Sequence, residues 1–299
     1  MGAPDTAVDV FSRLNERQRE AACAGERPLL ILAGAGTGKT NTLAHRVAHL
    51  VLQGVAPERS LLLTFPRRAA LARTRRAQRI LSAARGQVAT GREAGLPWSG
   101  TFHSIANRLI RRHCRQLGLD ESFTVLDRGD AADLLDLARH ERGLSKTEKR
   151  FPRKDTCLAI YSHRVNAQAP LARTLLEAFP WCAEWQEELN GLFRDYVEKK
   201  LAAQALDYDD LLLYWQALLS DDALAAEIGA QFDHVLVDEY QDTNLLQSAI
   251  LERLRPTGAG LTVVGDDAQA IYSFRAATVE NIRGFKDRFG ADVVALEEN

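Results

Sequence analysis

The residues with the clearest chemistry form a glycine-rich turn that ends in a lysine and a threonine. The turn reads AGAGTGKT, and its members are Ala33, Gly34, Ala35, Gly36, Thr37, Gly38, Lys39 and Thr40. Such a loop closes backbone N–H groups around an anion, and the N-terminus of a following helix adds partial positive charge. We therefore predict that Lys39 binds the β- and γ-phosphates of a nucleotide and that Thr40 holds its Mg²⁺. The alternative, a strand–helix turn that binds nothing, is disfavoured by the Gly-Lys-Thr ending.

Two carboxylates follow an apolar run later in the chain. Asp238 and Glu239 come directly after HVLV, residues 234–237. In a fold with a phosphate loop, an aspartate at the end of a strand holds Mg²⁺ through water. An adjacent glutamate can orient or deprotonate the attacking water. We predict these two roles for Asp238 and Glu239, the alternative being an acidic turn that only ends the strand.

A second apolar run, LTVVG, repeats this design and continues into a segment of mixed chemistry. The residues that stand out there are Gln269, Tyr272, Phe274 and Arg275. An amide and a guanidinium beside a nucleotide, with two aromatic rings two positions apart, suggest a segment that serves two ligands. The rings could stack on bases, and their alternative role is to fill the core.

Apolar runs that alternate with amphipathic segments are predicted to position these residues. Short apolar runs bounded by turns are typical of buried parallel strands. The predicted strands cover residues 28–32, 60–65, 123–126, 232–237, 261–265 and 292–296. One helix is predicted with Asn15 or Ser12 as its N-cap, and others are predicted to start after Thr40, after Pro66 and at Asp207. Two more are predicted after Ser104, as far as about Leu117, and at 279–289, while 84–97 is predicted as a loop. From about 119 to 205 the pattern is almost entirely helical, which indicates an insertion into an α/β fold with a central parallel sheet.

Charge divides the chain into two halves. The formal net charge is −2, but residues 1–150 carry 25 Lys and Arg against 15 Asp and Glu, whereas residues 151–299 carry 13 against 25. Two predicted helices concentrate arginines, namely Arg68, Arg75, Arg76 and Arg79 in one and Arg108, Arg111, Arg112 and Arg115 in the other. These arginines form either a surface that contacts nucleic-acid phosphates or solvated helix faces.

Composition excludes several classes of protein. A hydrophobic content of 46% is that of an ordinary globular chain. The four cysteines have no C-x-x-C spacing, so neither a zinc site nor a disulfide framework is expected, and a reducing compartment fits best. No signal peptide and no membrane-spanning run is expected, so we predict a cytoplasmic protein.

The order of these motifs resembles the UvrD/Rep/PcrA-like superfamily 1 DNA helicases. The matching segments are LNERQREAA, AGAGTGKT, LLLTFPRRAA, GTFHS, LDYDDLL, VLVDEYQDTN and VVGDDAQAIYSFRAA. The resemblance implies a RecA-like ATPase domain of residues 1–117 and 206–299, with a helical subdomain of residues 118–205 inserted. It also implies ATP and Mg²⁺ as cofactors. The implied partners are single-stranded DNA, junctions of single- and double-stranded DNA, and a second RecA-like domain.

The resemblance also assigns roles to individual residues. Gln18 would recognise adenine, while Gln269 and Arg275 would sense the γ-phosphate and couple it to DNA. Asn41, directly after the phosphate loop, stands where many members have an arginine that packs on adenine. The expected contacts with single-stranded DNA are Thr64, Phe65, Thr101, His103, Tyr272 and Phe274.

Other positions also depart from the family pattern. Ala33 replaces the first glycine of the loop, Ala268 an aspartate and Phe274 a tryptophan. The final residues, LEEN, match only the opening of the family's next motif, and the second RecA-like domain does not follow. We therefore predict a truncated N-terminal ATPase half of a 3′→5′ DNA helicase and single-strand translocase, weakly active alone. The alternative is an ATP-regulated module that binds single-stranded DNA, or a partner subunit of a helicase–nuclease complex.

Overall fold

The computed structural model describes residues 10–34, 36–65, 75–77, 79–80, 82–83, 96–146, 149–266 and 279–296. The chain divides into two compact units. The first comprises Met1–Ile105, Leu219–Thr243 and Leu251–Asn299, and the second comprises Ala106–Leu218 and Asn244–Ile250. The assignment of residues 118–205 to an inserted subdomain stays a prediction.

Parallel strands form the centre of the first unit. The strands of the chain are β1 (Leu29–Ala33), β2 (Ser60–Leu63), β3 (Trp98–Gly100), β4 (Thr124–Val125), β5 (Ala205–Leu206), β6 (His234–Val237), β7 (Leu261–Gly265) and β8 (Asp292–Leu296). Six of them pair in the order β3-β2-β6-β7-β1-β8, and every pairing in this sheet is parallel. All residues of β2, β6 and β7 are buried, as expected of strands covered on both faces.

Helices connect and flank these strands. They are α1 (Glu16–Ala22), α2 (Lys39–Leu52), α3 (Phe102–Arg112), α4 (Arg128–Glu141), α5 (Lys154–Asn166), α6 (Leu171–Ala178), α7 (Gln186–Ala202), α8 (Tyr208–Leu218), α9 (Asp222–Ala230), α10 (Leu245–Leu254) and α11 (Val279–Phe289). Residues 75–77, 79–80 and 82–83 are also helical. None of the helices in the described ranges has the length and apolar character that a membrane span requires.

The core of the first unit lies between the sheet and the helix that follows β1. Leu43 and Val47 of α2 belong to the same buried cluster as Ile31, Leu236 and Val264 of the sheet. Because all strands run the same way, the turns after β1, β6 and β7 lie at one edge of the sheet. This is the edge where open α/β sheets bind ligands.

The second unit is mainly helical and contains a buried ionic cluster that links α7 to the start of α8. Lys200 Nζ of α7 lies 2.7 Å from Asp207 Oδ2 and 2.6 Å from Asp210 Oδ2, and the lysine side chain is 3% exposed. Asp207 also starts α8, since its Oδ1 accepts from the Asp210 amide and its own amide donates to Asp210 Oδ2. The strands β4 and β5 pair in parallel beside this cluster and join the two ends of the helical segment.

Strand β3 was not predicted, and one predicted helix end was wrong. Trp98–Gly100 is a strand that the sequence pattern does not indicate, because it carries no apolar run and its place is fixed by pairing with β2. The helix predicted to reach Leu117 ends at Arg112. The amide of His113 donates to both the Leu109 and Ile110 carbonyls, and turns continue to Gly118 at φ 68°.

Candidate nucleotide-binding site

The turn between β1 and α2 has the backbone geometry of an anion-binding loop. Gly36 and Gly38 both adopt φ of 85°, a conformation that a side chain disfavours. The Thr37 hydroxyl donates to the Gly34 carbonyl at 2.9 Å and braces the loop internally. Helix α2 begins at Lys39, so its first amides point toward the loop. Ala35 lies outside the described residues.

Two acidic side chains face the lysine that follows the loop. Lys39 Nζ lies 3.4 Å from Glu239 Oε2, after β6, and 3.9 Å from Asp266 Oδ2, after β7. The lysine is 12% exposed and Asp266 is 5% exposed. The structure thus brings together two residues that are 200 positions apart, Lys39 and Glu239, both of which the sequence singled out. An anion that binds Lys39 competes with these carboxylates for the same ammonium group.

Glu239 is held in a strained backbone conformation. Its φ and ψ of 51° and 46° lie in the left-handed region, which is uncommon for a residue with a side chain. Its amide donates to Asp238 Oδ1 at 2.9 Å, within the turn that ends β6. Asp238 itself is fully buried. The turn therefore fixes the directions of two adjacent carboxylates at the end of one strand.

Gln241 links the two carboxylate-bearing strands, and sequence reasoning missed it. Its Nε2 donates to Glu239 Oε2 at 2.9 Å, and its Oε1 accepts from the Asp266 amide at 3.1 Å. The side chain is 4% exposed. The only signal in the sequence was its place within the DEYQD string, because an isolated glutamine carries no chemical pattern of its own.

Gln18 lies directly against the phosphate loop. It forms a capping box with Asn15, the N-cap of α1, and Gln18 Oε1 accepts from the Asn15 amide at 3.2 Å. Its Nε2 donates to the Thr37 carbonyl at 2.9 Å. A Cβ on Gly38 would lie only 2.7 Å from Gln18 Nε2. Gly38 is therefore required for its backbone angle and for this close approach.

The polar residues around the loop fit a magnesium ion held mainly by a nucleotide. In the described part of the chain, no group of three or more His, Cys, Asp and Glu side chains could hold a metal by itself. Mg²⁺ bound with a nucleotide needs only one or two protein oxygens, because phosphates and water supply the rest. A half-exposed Thr40 hydroxyl at the start of α2 and a buried Asp238 at the end of β6 match that requirement in chemistry.

The predicted DNA contacts that the structure describes lie after β2 and β3. Thr64 is fully buried and its amide donates to the Gly100 carbonyl at 2.9 Å. The Phe65 ring packs 5.9 Å from the Phe102 ring. Thr101 Oγ1 accepts from the Ser104 amide at 3.2 Å and so caps α3. Phe65, Thr101 and His103 are half-buried and lie at the carboxyl edge of the sheet.

The remaining candidate residues divide into two groups. Gln269, Tyr272, Phe274 and Arg275 lie outside the described residues, as do Arg68 and Ala268. Asn41, Arg75, Arg76 and Arg79 are described, and the three arginines are exposed on a helical segment.

Two arginines, one in α3 and one shortly after it, have structural partners. Arg111 donates to the carbonyls of Glu121 and Phe123 and lies 4.2 Å above the Phe123 ring. Arg115 pairs with the Glu121 carboxylate at 2.8 Å. These two side chains therefore stabilise the turn after α3.

A six-stranded parallel sheet whose β1 leads into a phosphate loop, with carboxylates after β6 and β7, defines a RecA-like nucleotide-binding domain. The chain belongs to the UvrD/REP helicase N-terminal domain family, whose profile matches residues 14–290. This confirms the family and the fold class that the motifs indicated.

Sequence comparison identifies helicases as relatives. The chain is 34% identical over 295 residues to the ATP-dependent DNA helicase PcrA of Bacillus subtilis and 33% identical over 295 residues to DNA helicase II of Escherichia coli. It is 36% identical over 292 residues to the ATP-dependent DNA helicase PcrA of Leuconostoc citreum. These alignments cover 96–97% of this chain but 37–38% of each relative. The chain thus spans less than two fifths of the length of these relatives.

Proposed function

We propose that this chain is the N-terminal ATPase part of an ATP-dependent 3′→5′ DNA helicase and single-strand translocase. The observation that carries the proposal is the position of Lys39, which lies in the phosphate loop within 4 Å of carboxylates from two neighbouring strands. Relatives that match 96–97% of the chain are named ATP-dependent DNA helicases. We therefore propose that the ligand of this site is a nucleoside triphosphate, namely ATP.

The roles of the site residues follow from charge and position. Lys39 would exchange its carboxylate partners for the β- and γ-phosphates. Glu239 would then have a carboxylate available to orient and deprotonate the attacking water. Thr40 and Asp238 would hold Mg²⁺, which neutralises developing negative charge on the phosphates. Gln241 would keep Glu239 in place during this exchange, because its amide is anchored on the Asp266 backbone.

The base of the nucleotide would contact Gln18. The amide of Gln18 has two N–H donors and two carbonyl lone pairs, and the bonds to Thr37 and Asn15 use one of each. The amide keeps one N–H donor and one carbonyl lone pair, and these would match the donor and acceptor on the edge of adenine. Asn41, which follows the loop, would replace with a neutral amide the arginine found in many family members, so we expect a modest affinity for the base.

Single-stranded DNA would bind at the carboxyl edge of the sheet, near Phe65, Thr101 and His103. Exposed Arg75, Arg76 and Arg79 would add salt-sensitive contacts with backbone phosphates. In helicases of this family a second RecA-like domain supplies arginines to the γ-phosphate, an effect worth roughly 10³–10⁵ in rate where arginine fingers have been removed. We therefore propose that the present chain hydrolyses ATP slowly, and that it acts in the cytoplasm.

A nucleotide titration tests the proposal. Binding of a fluorescent ATP analogue with Mg²⁺ is measured for the parent, for Lys39→Ala and for Lys286→Ala, which removes an exposed lysine on α11 in the same unit. We expect binding by the parent and by Lys286→Ala and loss of binding by Lys39→Ala, with unchanged circular dichroism. Equal binding by all three proteins would overturn the assignment of the phosphate loop.

A further inference from the structure

A buried arginine in α2 is bonded only to neutral acceptors. Arg46 is fully buried, and Nε donates to Thr262 Oγ1 at 2.8 Å. Nη1 donates to the Ala24 carbonyl at 2.8 Å and to the Ala21 carbonyl at 3.4 Å, and Nη2 donates to the Gly25 carbonyl at 3.0 Å. No carboxylate among the described residues forms an ion pair with it. Burial lowers the pKa of Arg46 to about 10, so the guanidinium remains charged at neutral pH.

The charge of Arg46 is compensated by backbone carbonyls at the end of α1. Carbonyls at a helix C-terminus carry partial negative charge and lack partners within the helix. A planar guanidinium with five N–H groups can bond several of them at fixed angles, which a lysine cannot do. Taking an arginine out of water without a counterion is costly, and an apolar side chain of similar volume would fill the space. The buried guanidinium is therefore better explained by the position in which it holds α1 and β7 than by a net gain in stability.

Arg46 links three elements near the candidate nucleotide site, namely its own helix α2, the end of α1 and β7. Its own helix starts at Lys39, seven residues earlier and two helical turns away. Ala21 lies three residues after Gln18 on α1, so Arg46 holds the far end of the short helix whose near end reaches Thr37. Thr262 lies on β7, which ends at Gly265, directly before Asp266.

We propose that Arg46 is a positioning residue that sets Gln18 against the phosphate loop and thereby determines selectivity for the base of the nucleotide. Helix α1 has only seven residues, and besides the packing of Ala21 in the core it is held by two polar contacts, the Gln18–Thr37 hydrogen bond and the Arg46 guanidinium. Without the second contact, α1 can rotate and shift the Gln18 amide away from the base. The phosphate contacts of Lys39 are made by α2 itself and do not depend on α1. The proposal rests on the proposed function, because it concerns the same nucleotide site.

The test compares base selectivity with phosphate binding. Dissociation constants for ATP, GTP and inorganic tripolyphosphate are measured with Mg²⁺ for the parent, Arg46→Lys and Gln18→Ala. We expect Arg46→Lys to weaken ATP about three- to tenfold, the range of a single hydrogen bond to the base. Affinities for GTP and tripolyphosphate should stay unchanged. Gln18→Ala should show the same loss, and the double variant should lose no more than either single variant.

Two further variants complete the experiment, one that removes the contact of Arg46 with Thr262 and one control at another arginine. Thr262→Val keeps the shape of the side chain and removes one acceptor, so it should shift the ratio of ATP to GTP affinity in the same direction by a smaller factor. This variant also tests the proposal if Arg46→Lys fails to fold. The control is Arg255→Lys, because Arg255 is half-buried and donates to the Phe232 carbonyl before β6 rather than to α1. Its ratio should equal that of the parent.

Two results would overturn the proposal. One is an unchanged ratio of ATP to GTP affinity in both Arg46→Lys and Thr262→Val. The other is an equal loss of ATP, GTP and tripolyphosphate, which would assign Arg46 a general role in stability. Lys39→Ala measured in parallel separates these results from a failure of the proposed function, since that failure requires Lys39→Ala to bind all three ligands as the parent does.

Discussion

Lys39 Nζ and Glu239 Oε2 lie 3.4 Å apart, so the lysine expected to bind phosphate and the glutamate expected to activate water are partners in one ion pair. The ammonium group of Lys39 and the carboxylate of Glu239 therefore hold each other in place by charge. A nucleotide that draws Lys39 onto its phosphates also changes the surroundings of the Glu239 carboxylate. In the proposed function, nucleotide binding by Lys39 and activation of Glu239 as the general base would therefore be coupled through this contact.

Replacement of Glu239 by glutamine should separate nucleotide binding from hydrolysis. Glu239→Gln removes the negative charge that competes with phosphate for Lys39, so affinity for ATP should be equal to or a few times higher than that of the parent. Turnover should fall about 10²–10⁴-fold, the usual contribution of a general base. The measurements are a nucleotide titration and single-turnover hydrolysis.

Asp292→Asn is the matched control for this change, because Asp292 is an exposed acid that pairs with Arg27 at 3.3 Å in the same unit. It should leave affinity and turnover unchanged. If the parent and Glu239→Gln hydrolyse ATP at the same rate, Glu239 is not the general base of the reaction.

Gly38 and Gly54 both have a positive φ, so a comparison of the two separates the contact of Gly38 with Gln18 from the effect of its backbone angle. Gly38 has φ of 85° and its Cβ would meet Gln18 Nε2 at 2.7 Å, whereas Gly54 has φ of 98° with open space around it. Alanine at either position should lower the free energy of unfolding by about 1–2 kcal/mol. Only Gly38→Ala should also weaken nucleotide binding, because it displaces Gln18 and distorts the loop. Urea denaturation and a nucleotide titration measure the two effects, and equal nucleotide affinity in the two variants would contradict the geometry.

Pattern recognition was sufficient for residues whose chemistry is local in the sequence. The loop around Lys39 and the acids at Asp238 and Glu239 could be predicted because each follows an apolar run and each has a recognisable string. Arg46 could not, since its partner Thr262 is 216 positions away and the intervening sequence gives no sign of the contact. Gln241 was missed because a single glutamine carries no pattern of its own, and its contact with the Asp266 amide exists only once β6 and β7 lie side by side. Short strands such as β3 lie below the length at which periodicity is detectable.

Gln241 should control hydrolysis more than binding. Gln241→Leu removes the donor to Glu239 and leaves the buried Asp266 amide without its acceptor, which should cost about 1–3 kcal/mol of unfolding free energy. Turnover should fall because Glu239 loses a contact that fixes its carboxylate, while affinity for ATP should change little. The control is Gln247→Leu, which removes a buried amide that accepts from the Asn244 backbone at 3.0 Å. A stability loss without any change in turnover for Gln241→Leu would show that this contact does not act on Glu239.

The second unit contains a carboxylate whose titration should be visible in stability. Burial and, after it, the negative charge of Asp207 raise the pKa of Asp209 to about 6, although hydrogen bonds from Asn166 and Ser162 and the charge of Lys200 oppose the shift. An acid whose pKa is higher in the folded state binds its proton more tightly there. Its contribution to stability is therefore complete below the unfolded pKa of about 3.9 and is lost as the pH rises through about 6.

Asp209→Asn should remove this pH dependence. Between pH 4 and pH 7 the unfolding free energy of the parent should fall relative to that of Asp209→Asn, by up to about 2–3 kcal/mol for a shift of two units. Asp195→Asn gives the opposite sign, because the hydrogen bond from Arg142 lowers the pKa of Asp195 and this stabilisation is present only above its unfolded pKa. The parent should therefore gain stability over Asp195→Asn as the pH rises through the acidic range. Urea denaturation at several pH values measures both differences, and parallel profiles for the parent and Asp209→Asn would mean that the pKa of Asp209 is the same in the folded and unfolded chains.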